Sequence, residues 1–264
     1  MILARGVGTR MRKADPAASL EPAQAAVARS GVKAMIPVGR PFLDYVLSVV
    51  AEAGFRRVCL VLGPEHDQVR QYYAVLQPRR LRIEFALQAR PLGTADAVAA
   101  AESFAGREPF LVLNSDNYYP LDALVALRQA PGPAVAAFDQ EAMLAGSNVP
   151  AERLAKFAVI QTDGGGRLER IIEKPDEATL ARLPRPVGVG MNCWRFGPAI
   201  FPACRAIVPS PRGELEITDA VQYAIDRLGE SFSVVWCKAA VLDLSSRGDI
   251  ELVAARLART EVNL

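Results

Sequence analysis

One histidine in 264 residues removes most of the usual catalytic chemistry from this chain. His66 stands in Gly63-Pro64-Glu65-His66-Asp67, at a strand-to-helix turn where a surface or capping role is expected. A lone imidazole cannot build a histidine metal cluster, and the Gly-x-Ser-x-Gly elbow of a Ser–His hydrolase is missing. The four cysteines, Cys59, Cys193, Cys204 and Cys237, are scattered with no Cys-x-x-Cys pair. Free buried thiols in a reducing cytoplasm are expected, rather than zinc or disulfides. No apolar run is long enough to span a bilayer, and no charged leader precedes an apolar stretch, so neither a membrane partner nor a signal peptide is expected. A net charge of only +2 speaks against a generic nucleic-acid surface. Two glycine motifs are also missing. Met11 takes the place of the third glycine in a dinucleotide fingerprint, and no Gly-Lys-Ser or Gly-Lys-Thr triplet makes a P-loop.

What is present fits a globular chain, with 51% hydrophobic and 23% charged residues. Val58 to Leu62 is a continuous apolar run ended by Gly63-Pro64, as a buried parallel strand should be. The stretch 42–53, opened by Pro41 and closed by Gly54, reads as a helix. Residues 67–76 and the alanine-rich 94–104 read as further helices, and 81–87 and 110–113 as strands. In the second half, 157–162 and 168–172 flank the hairpin signal Asp163-Gly164-Gly165-Gly166. Strands are expected over 187–196, 232–237 and 241–242, and helices over 201–207, 217–228 and 250–257. No linker or internal repeat divides the chain. The expectation is one α/β domain over 1–264, three-layered and Rossmann-like, with a mixed, mostly parallel central sheet.

The densest chemical signal is Leu3-Ala4-Arg5-Gly6-Val7-Gly8-Thr9-Arg10-Met11. Glycines after a short strand let backbone N–H groups approach a polyphosphate, and arginine adds a planar fork for phosphate oxygens. The same letters also describe a plain turn. The following stretch, 13–31, is alanine-rich with Pro16 and Pro22. It reads either as a flap over a nucleotide or as an irregular excursion, with a short helix over 22–29.

Further segments follow in a fixed order. Lys33-Ala34-Met35-Ile36-Pro37-Val38 precedes Gly39-Arg40-Pro41. Gln88 lies five residues before Gly93-Thr94-Ala95-Asp96, and Asn114-Ser115-Asp116-Asn117 follows a buried strand. Glu173-Lys174-Pro175, Arg212-Gly213-Glu214-Leu215-Glu216-Ile217-Thr218-Asp219 and Leu242-Asp243 complete the set. Together they resemble a sugar-1-phosphate nucleotidylyltransferase, the family of the glucose-1-phosphate thymidylyl- and uridylyltransferases, over nearly the whole chain. The resemblance implies that Gly6, Gly8, Thr9 and Arg10 hold a triphosphate and that Lys33 binds phosphate. It implies base reading by Gln88, Gly93 and Thr94, Mg2+ at Asp116 and Asp243, and sugar-phosphate binding by Glu173, Lys174 and Glu216, with a sugar-binding subregion at about 149–228. It further implies an NTP and a sugar-1-phosphate as partners, NDP-sugar and pyrophosphate as products, Arg10 and Lys33 as catalytic cations, and a homo-oligomer as in many related enzymes.

The residue types suit those roles. Magnesium prefers oxygen ligands and keeps waters and substrate phosphates in its shell, so a strand-end carboxylate fits it. Asp116 and Asp243 also read as turn or cap residues, and Lys33, Lys174 and Gln88 as solvated side chains. Pro175 is expected to hold Lys174 extended. Ser245 and Ser246 are expected at the cap of the last helix. A phosphate monoester is mostly ionised at neutral pH, so its transfer chemistry needs no histidine base. The chain departs from the family pattern at Arg5, where a small residue is usual, and at Ala158 and Asn192, near positions often held by glycine. Two rivals share the fold: a nucleotide- or sugar-sensing module, favoured by Arg5, and an NDP-sugar-consuming glycosyltransferase, disfavoured by a single aspartate in 114–117.

Overall fold

The computed structural model describes residues 1–6 and 8–264, so Val7 of the loop motif lies outside the described residues. The first half alternates as the sequence predicts. β1 (Ile2–Leu3) leads into α1 (Thr9–Arg12), α2 (Pro22–Ser30) and a 3-10 turn at Lys33–Met35. Then come α3 (Phe42–Glu52), β2 (Arg57–Leu62), α4 (Asp67–Leu76) and β3 (Arg82–Leu87). α5 (Thr94–Ala100), α6 (Glu102–Ala105) and β4 (Phe110–Asn114) complete the half. The helix expected over 94–104 is thus broken. Ala101 leaves the helical region at φ −107°, and the new turn brings Glu102 against Arg205.

The second half holds β5 (Asn117–Tyr118), α7 (Leu121–Gln129), β6 (Ala134–Asp139), α8 (Gln140–Gly146) and α9 (Ala151–Leu154). The glycine hairpin is β7 (Ala158–Thr162) and β8 (Leu168–Ile172), followed by α10 (Glu177–Arg182) and β9 (Gly188–Phe196). α11 (Ile200–Ala206), α12 (Ile217–Leu228), β10 (Ser233–Cys237), β11 (Leu242–Asp243) and α13 (Gly248–Leu257) follow.

The main sheet has nine strands, in order β10-β6-β9-β4-β1-β2-β3, with β7 and β8 joined through β9. β4, β1, β2 and β3 run parallel, as do β6 and β10. β9 runs antiparallel between β4 and β6, which makes the sheet mixed. The parallel block drives the site's position. Its strands all end on one edge, and the loops leaving those ends carry Arg5, Gly63, Gln88 and Asn114 to Asp116.

Two apolar clusters pack the two faces of the sheet. α3 buries ten of its eleven residues, including Asp44. A carboxylate in that position has to be paired. The hydroxyls of Tyr72 and Tyr73 donate to Asp44 at 2.8 and 2.9 Å, and Arg40 Nε donates at 3.0 Å. All four cysteines are buried free thiols, as expected. Among the described residues, no helix is long and apolar enough to cross a membrane.

Candidate functional site

Two cavities open at the carboxyl edge and meet at Asn114 and Asp116. The first, about 340 Å³, is lined by Arg5, Gly6, Lys33, Gln88, Gly93 and Thr94, among others. The second, about 580 Å³, is lined by Arg10, Glu173, Lys174 and Asp243 together with aromatic and apolar side chains. So most residues singled out from the sequence converge on this pair of cavities. Gly8, Thr9 and Glu216 line neither.

A small second sheet makes the junction. β5 and β11 pair antiparallel, with Asp243 opposite Asn117, and Leu244 N donates to Asp116 O at 2.8 Å. This ladder brings together carboxylates far apart in the chain, Asp116 and Asp243. Lys33 Nζ, presented by the 3-10 turn, donates to Asp116 Oδ2 at 2.8 Å. Asp243 is buried. Its Oδ1 accepts from Asn117 Nδ2 and Ser245 Oγ at 3.0 Å each, while Oδ2 is enclosed without a hydrogen bond, 3.4 Å from Arg153 Nη2. Arg10 Nη2 donates to Ser245 Oγ at 3.3 Å, which places its guanidinium beside the carboxylate pair.

Burial, and after it the charge of Asp116, pushes the Asp243 carboxyl up to about 6. The folded state therefore binds a proton that the unfolded chain has released between pH 4 and 6. This group's contribution to stability falls as pH rises through that window. Asp243→Asn removes the titration, so the melting temperature of the variant relative to wild type should climb from pH 4 to 7. Thermal melts at stepped pH check this; a constant difference would show that Asp243 titrates normally.

The carboxylates fit a magnesium ion. An enclosed, unbonded Asp243 oxygen and an Asp116 oxygen already taken by a cation mark a place for positive charge. Magnesium usually uses one or two carboxylates plus phosphate oxygens and water. Among the described residues no group of three or more His, Cys, Asp or Glu side chains forms an all-protein cage.

Gln88 is only 4% exposed. Its Nε2 donates to Gly93 O at 2.9 Å and Asp96 Oδ2 at 2.8 Å, which fixes the amide orientation and leaves Oε1 as an acceptor. Gly93 sits at φ 118°, and a Cβ there would collide with the Leu215 backbone. Thr94 lines the first cavity, and its Oγ1 also accepts from Ile217 N at 2.8 Å at the start of α12. Gly8, at φ 62°, is pressed against the Gly31 backbone. The alanine-rich stretch is a brace in part, since Arg12 donates twice to Ser30 O at 2.7 and 3.1 Å.

The local geometry departs from expectation at Lys174 and at Ser245 and Ser246. Lys174 is not extended but sits at φ 45°. Pro175 disfavours the right-handed helical region for it, and in the bend after β8 it takes the left-handed one. Asn192, near a position that the resemblance gives to glycine, likewise has positive φ, at 51°. Both line the second cavity, and left-handed backbone at non-glycine residues concentrates at functional sites. His66 takes the N-cap position of α4, the capping alternative, but it is buried rather than at the surface; its Nδ1 accepts from Gly63 N at 3.3 Å, and burial pushes its pKa down. Ser245 and Ser246 do not cap α13; their N–H groups donate to Asp249 Oδ2 at 3.1 and 2.7 Å. Glu216 pairs with Arg212 at 2.8 Å, and it is Glu214 and Arg212 that reach the cavities.

Sequence reading missed Arg153 and Lys156, which line the second cavity. Arg153 Nη1 donates to both Asp249 oxygens at 2.9 and 3.0 Å. An arginine in a short polar helix carries no local sign of this role; only the fold brings it to Asp243.

A mixed sheet whose parallel block carries the site loops at its carboxyl edge defines an α/β protein that binds its ligands at that edge. The chain belongs to the nucleotidyl transferase family, whose model matches residues 1–239. It is 32% identical over 239 residues to a glucose-1-phosphate thymidylyltransferase of Streptomyces antibioticus, covering 89% of this chain and 59% of that protein. It is 29% identical over 259 residues to a UTP–glucose-1-phosphate uridylyltransferase of Haloferax volcanii, covering 97% and 95%. The chain spans 57–59% of the length of three of its curated relatives. A solved structure of UDP-glucose pyrophosphorylase complexed with UDP-glucose superposes with a TM-score of 0.73 at 19% identity, covering 98% of both chains; it bears on the fold alone.

Proposed function

We propose that the protein transfers a nucleotidyl group from an NTP to a sugar-1-phosphate. An oxygen of the sugar phosphate attacks the α-phosphorus in line, the bond from that phosphorus to the bridging oxygen breaks, and pyrophosphate leaves. The observation that carries the reading is the meeting of two cavities at Asp116, one holding Gln88 and Lys33, the other Lys174 and Glu173. A two-substrate transfer needs two pockets with one shared reacting centre. Arg10 and Lys33 stabilise charge on the phosphates. Asp116 and Asp243 would hold magnesium, which supplies neutralisation of phosphate oxygens. The free Oε1 of Gln88 suits a ring N–H, which favours UTP or dTTP; a hexose-1-phosphate suits the second cavity.

In this reading residues 1–264 act as one domain, with the sugar held by the subregion at about 149–228, in the cytoplasm and as a homo-oligomer. Pyrophosphate release with a panel of NTPs and sugar phosphates tests it. Binding without turnover would favour a sensing module, and consumption of NDP-sugar a glycosyltransferase.

The two cavities also predict a division of labour. Lys174→Ala should weaken sugar-1-phosphate binding and spare NTP, because its ammonium has no partner among the described residues and lines only the second cavity. Gln88→Ala should loosen base preference and spare the sugar phosphate. The effects on ground-state binding should add in the double variant. Calorimetric titration of each substrate checks this. Equal damage to NTP binding by both substitutions would dissolve the division.

A further inference from the structure

Arg5 departs from the family pattern, and its side chain is only 6% exposed. Nε and Nη2 donate to the two oxygens of Glu65 at 3.2 and 3.4 Å. The pair lies across the open face of Gly63, where a Cβ would collide with Arg5 Nε and both Glu65 oxygens. Gly63 is fixed in turn by His66 and by Arg70, whose guanidinium donates to Gly63 O at 3.4 Å. The buried histidine is thus the inner wall of a clamp. The last nitrogen, Nη1, is enclosed and has no acceptor among the described residues. Buried donors without partners are uncommon and call for a reason.

The sheet indicates which end of the first cavity this donor serves. Along the carboxyl edge the order is Gln88 after β3, Gly63 to Glu65 after β2, Arg5 after β1, then Asn114 to Asp116 after β4. Gln88 N donates to Leu62 O at 2.9 Å and Ala4 N to Val61 O at 3.0 Å, so Gln88 and Arg5 flank the end of β2. Arg5 reaches toward Glu65, on the Gln88 side and away from Asp116. Its charge belongs with the base-reading amide, not with the reacting phosphates.

We propose that Arg5, clamped by Glu65 over Gly63, is a base-selecting residue that works with Gln88 to read a nucleobase edge where a ring N–H adjoins a carbonyl. The inference rests on the nucleotidyl-transfer reading. Gln88 Oε1 accepts from the ring N–H, and the guanidinium donates to the carbonyl. Uracil, thymine and guanine carry that edge. Cytosine and adenine present a ring acceptor beside an amino donor, so both contacts invert.

Calorimetric titration of UTP, dTTP, GTP, CTP and ATP into wild type, Arg5→Met and Gly63→Ala, without sugar phosphate, tests this. Gly63→Ala keeps both charges but displaces the pair. Wild type should prefer at least one of UTP, dTTP and GTP, and those three arms identify which base is meant. Both variants should lose roughly 10- to 100-fold for that nucleotide, the weight of a hydrogen bond to a charged group, and little for CTP or ATP. Equal weakening for all five would make Arg5 a phosphate contact and overturn the assignment. So would an unchanged preference in the two folded variants, with the nucleotidyl-transfer reading left standing. A wild type that binds none of the five would overturn that reading and this inference with it.

Discussion

Asp116→Ala should lose turnover by about 10³-fold or more, the scale of removing a metal's share of charge stabilisation, while the chain stays folded. The two halves of that expectation have separate grounds. Among the described residues Asp116 and Asn114 are the ones both cavities share, which places Asp116 where the two proposed substrates meet. Its side chain is 23% exposed and makes a single ion pair, to Lys33. Its backbone, whose carbonyl holds Leu244 N, is untouched by the substitution. The freed Lys33 is 14% exposed and can reach water. The melting temperature should therefore move little. Asp243→Ala makes the useful contrast, since it empties a buried position with three partners and should damage fold and turnover together. Rates measured across magnesium concentrations, beside thermal melts, check both. Wild-type rates in Asp116→Ala would remove it from the reacting centre.

How much of this was legible in the sequence depends on where the determining contacts lie. β2 and α4 could be read because their signals are local: an apolar run closed by Gly63-Pro64, and a periodic segment of the right length. β6 could not. Its Ala134-Val135-Ala136-Ala137-Phe138 core has helix-favouring composition, and it is a strand because β9 and β10 pair with both its edges. The small residues there are a packing requirement, since the Ala137 side chain lies where a Cβ on Gly188 would stand. The break at Ala101 is equally non-local.

The site divides along the same line. The loop motif, Gln88, Asp116, Glu173 and Lys174 are legible through the family resemblance that their order carries, and Gly6 and Arg10 of that motif line the two cavities with those four residues. Arg153 is not legible in this way, because its meaning is a neighbour 90 residues away, Asp243. Lys174 shows a subtler failure. The rule for residues before proline removes one region of backbone space but does not choose among the rest, and the turn out of β8 chooses the left-handed one. His66 was legible in its place, at the cap of α4, but not in its burial, which the contacts with Gly63 and Glu65 bring about.

Arg10→Ala should lower kcat more than it raises KM for NTP, by about 2–4 kcal/mol in transition-state terms, the range for losing one charge-stabilising donor. The geometry gives the reason. Arg10 lies in a helix of four residues whose N-terminal position is Gly8, so its backbone is set by a glycine wedged against Gly31. Among the described residues its side chain has one polar contact, a 3.3 Å bond to a serine hydroxyl that in turn donates to Asp243. A guanidinium held by so weak a neighbour keeps most of its donors for substrate. It lines the second cavity with Asp116 and Asp243, so in the proposed reaction those donors are placed to meet the charge that moves from the α-phosphorus to the leaving pyrophosphate. A group that meets charge only as it develops acts on kcat, whereas a group that meets the resting triphosphate acts on KM. Arg10→Lys should restore part of the rate, because the charge returns but the planar fork does not. Steady-state kinetics in both substrates separate the cases. A raised KM with unchanged kcat in Arg10→Ala would make Arg10 a binding residue for the ground state, and would leave Lys33 as the remaining cation positioned to stabilise the transfer.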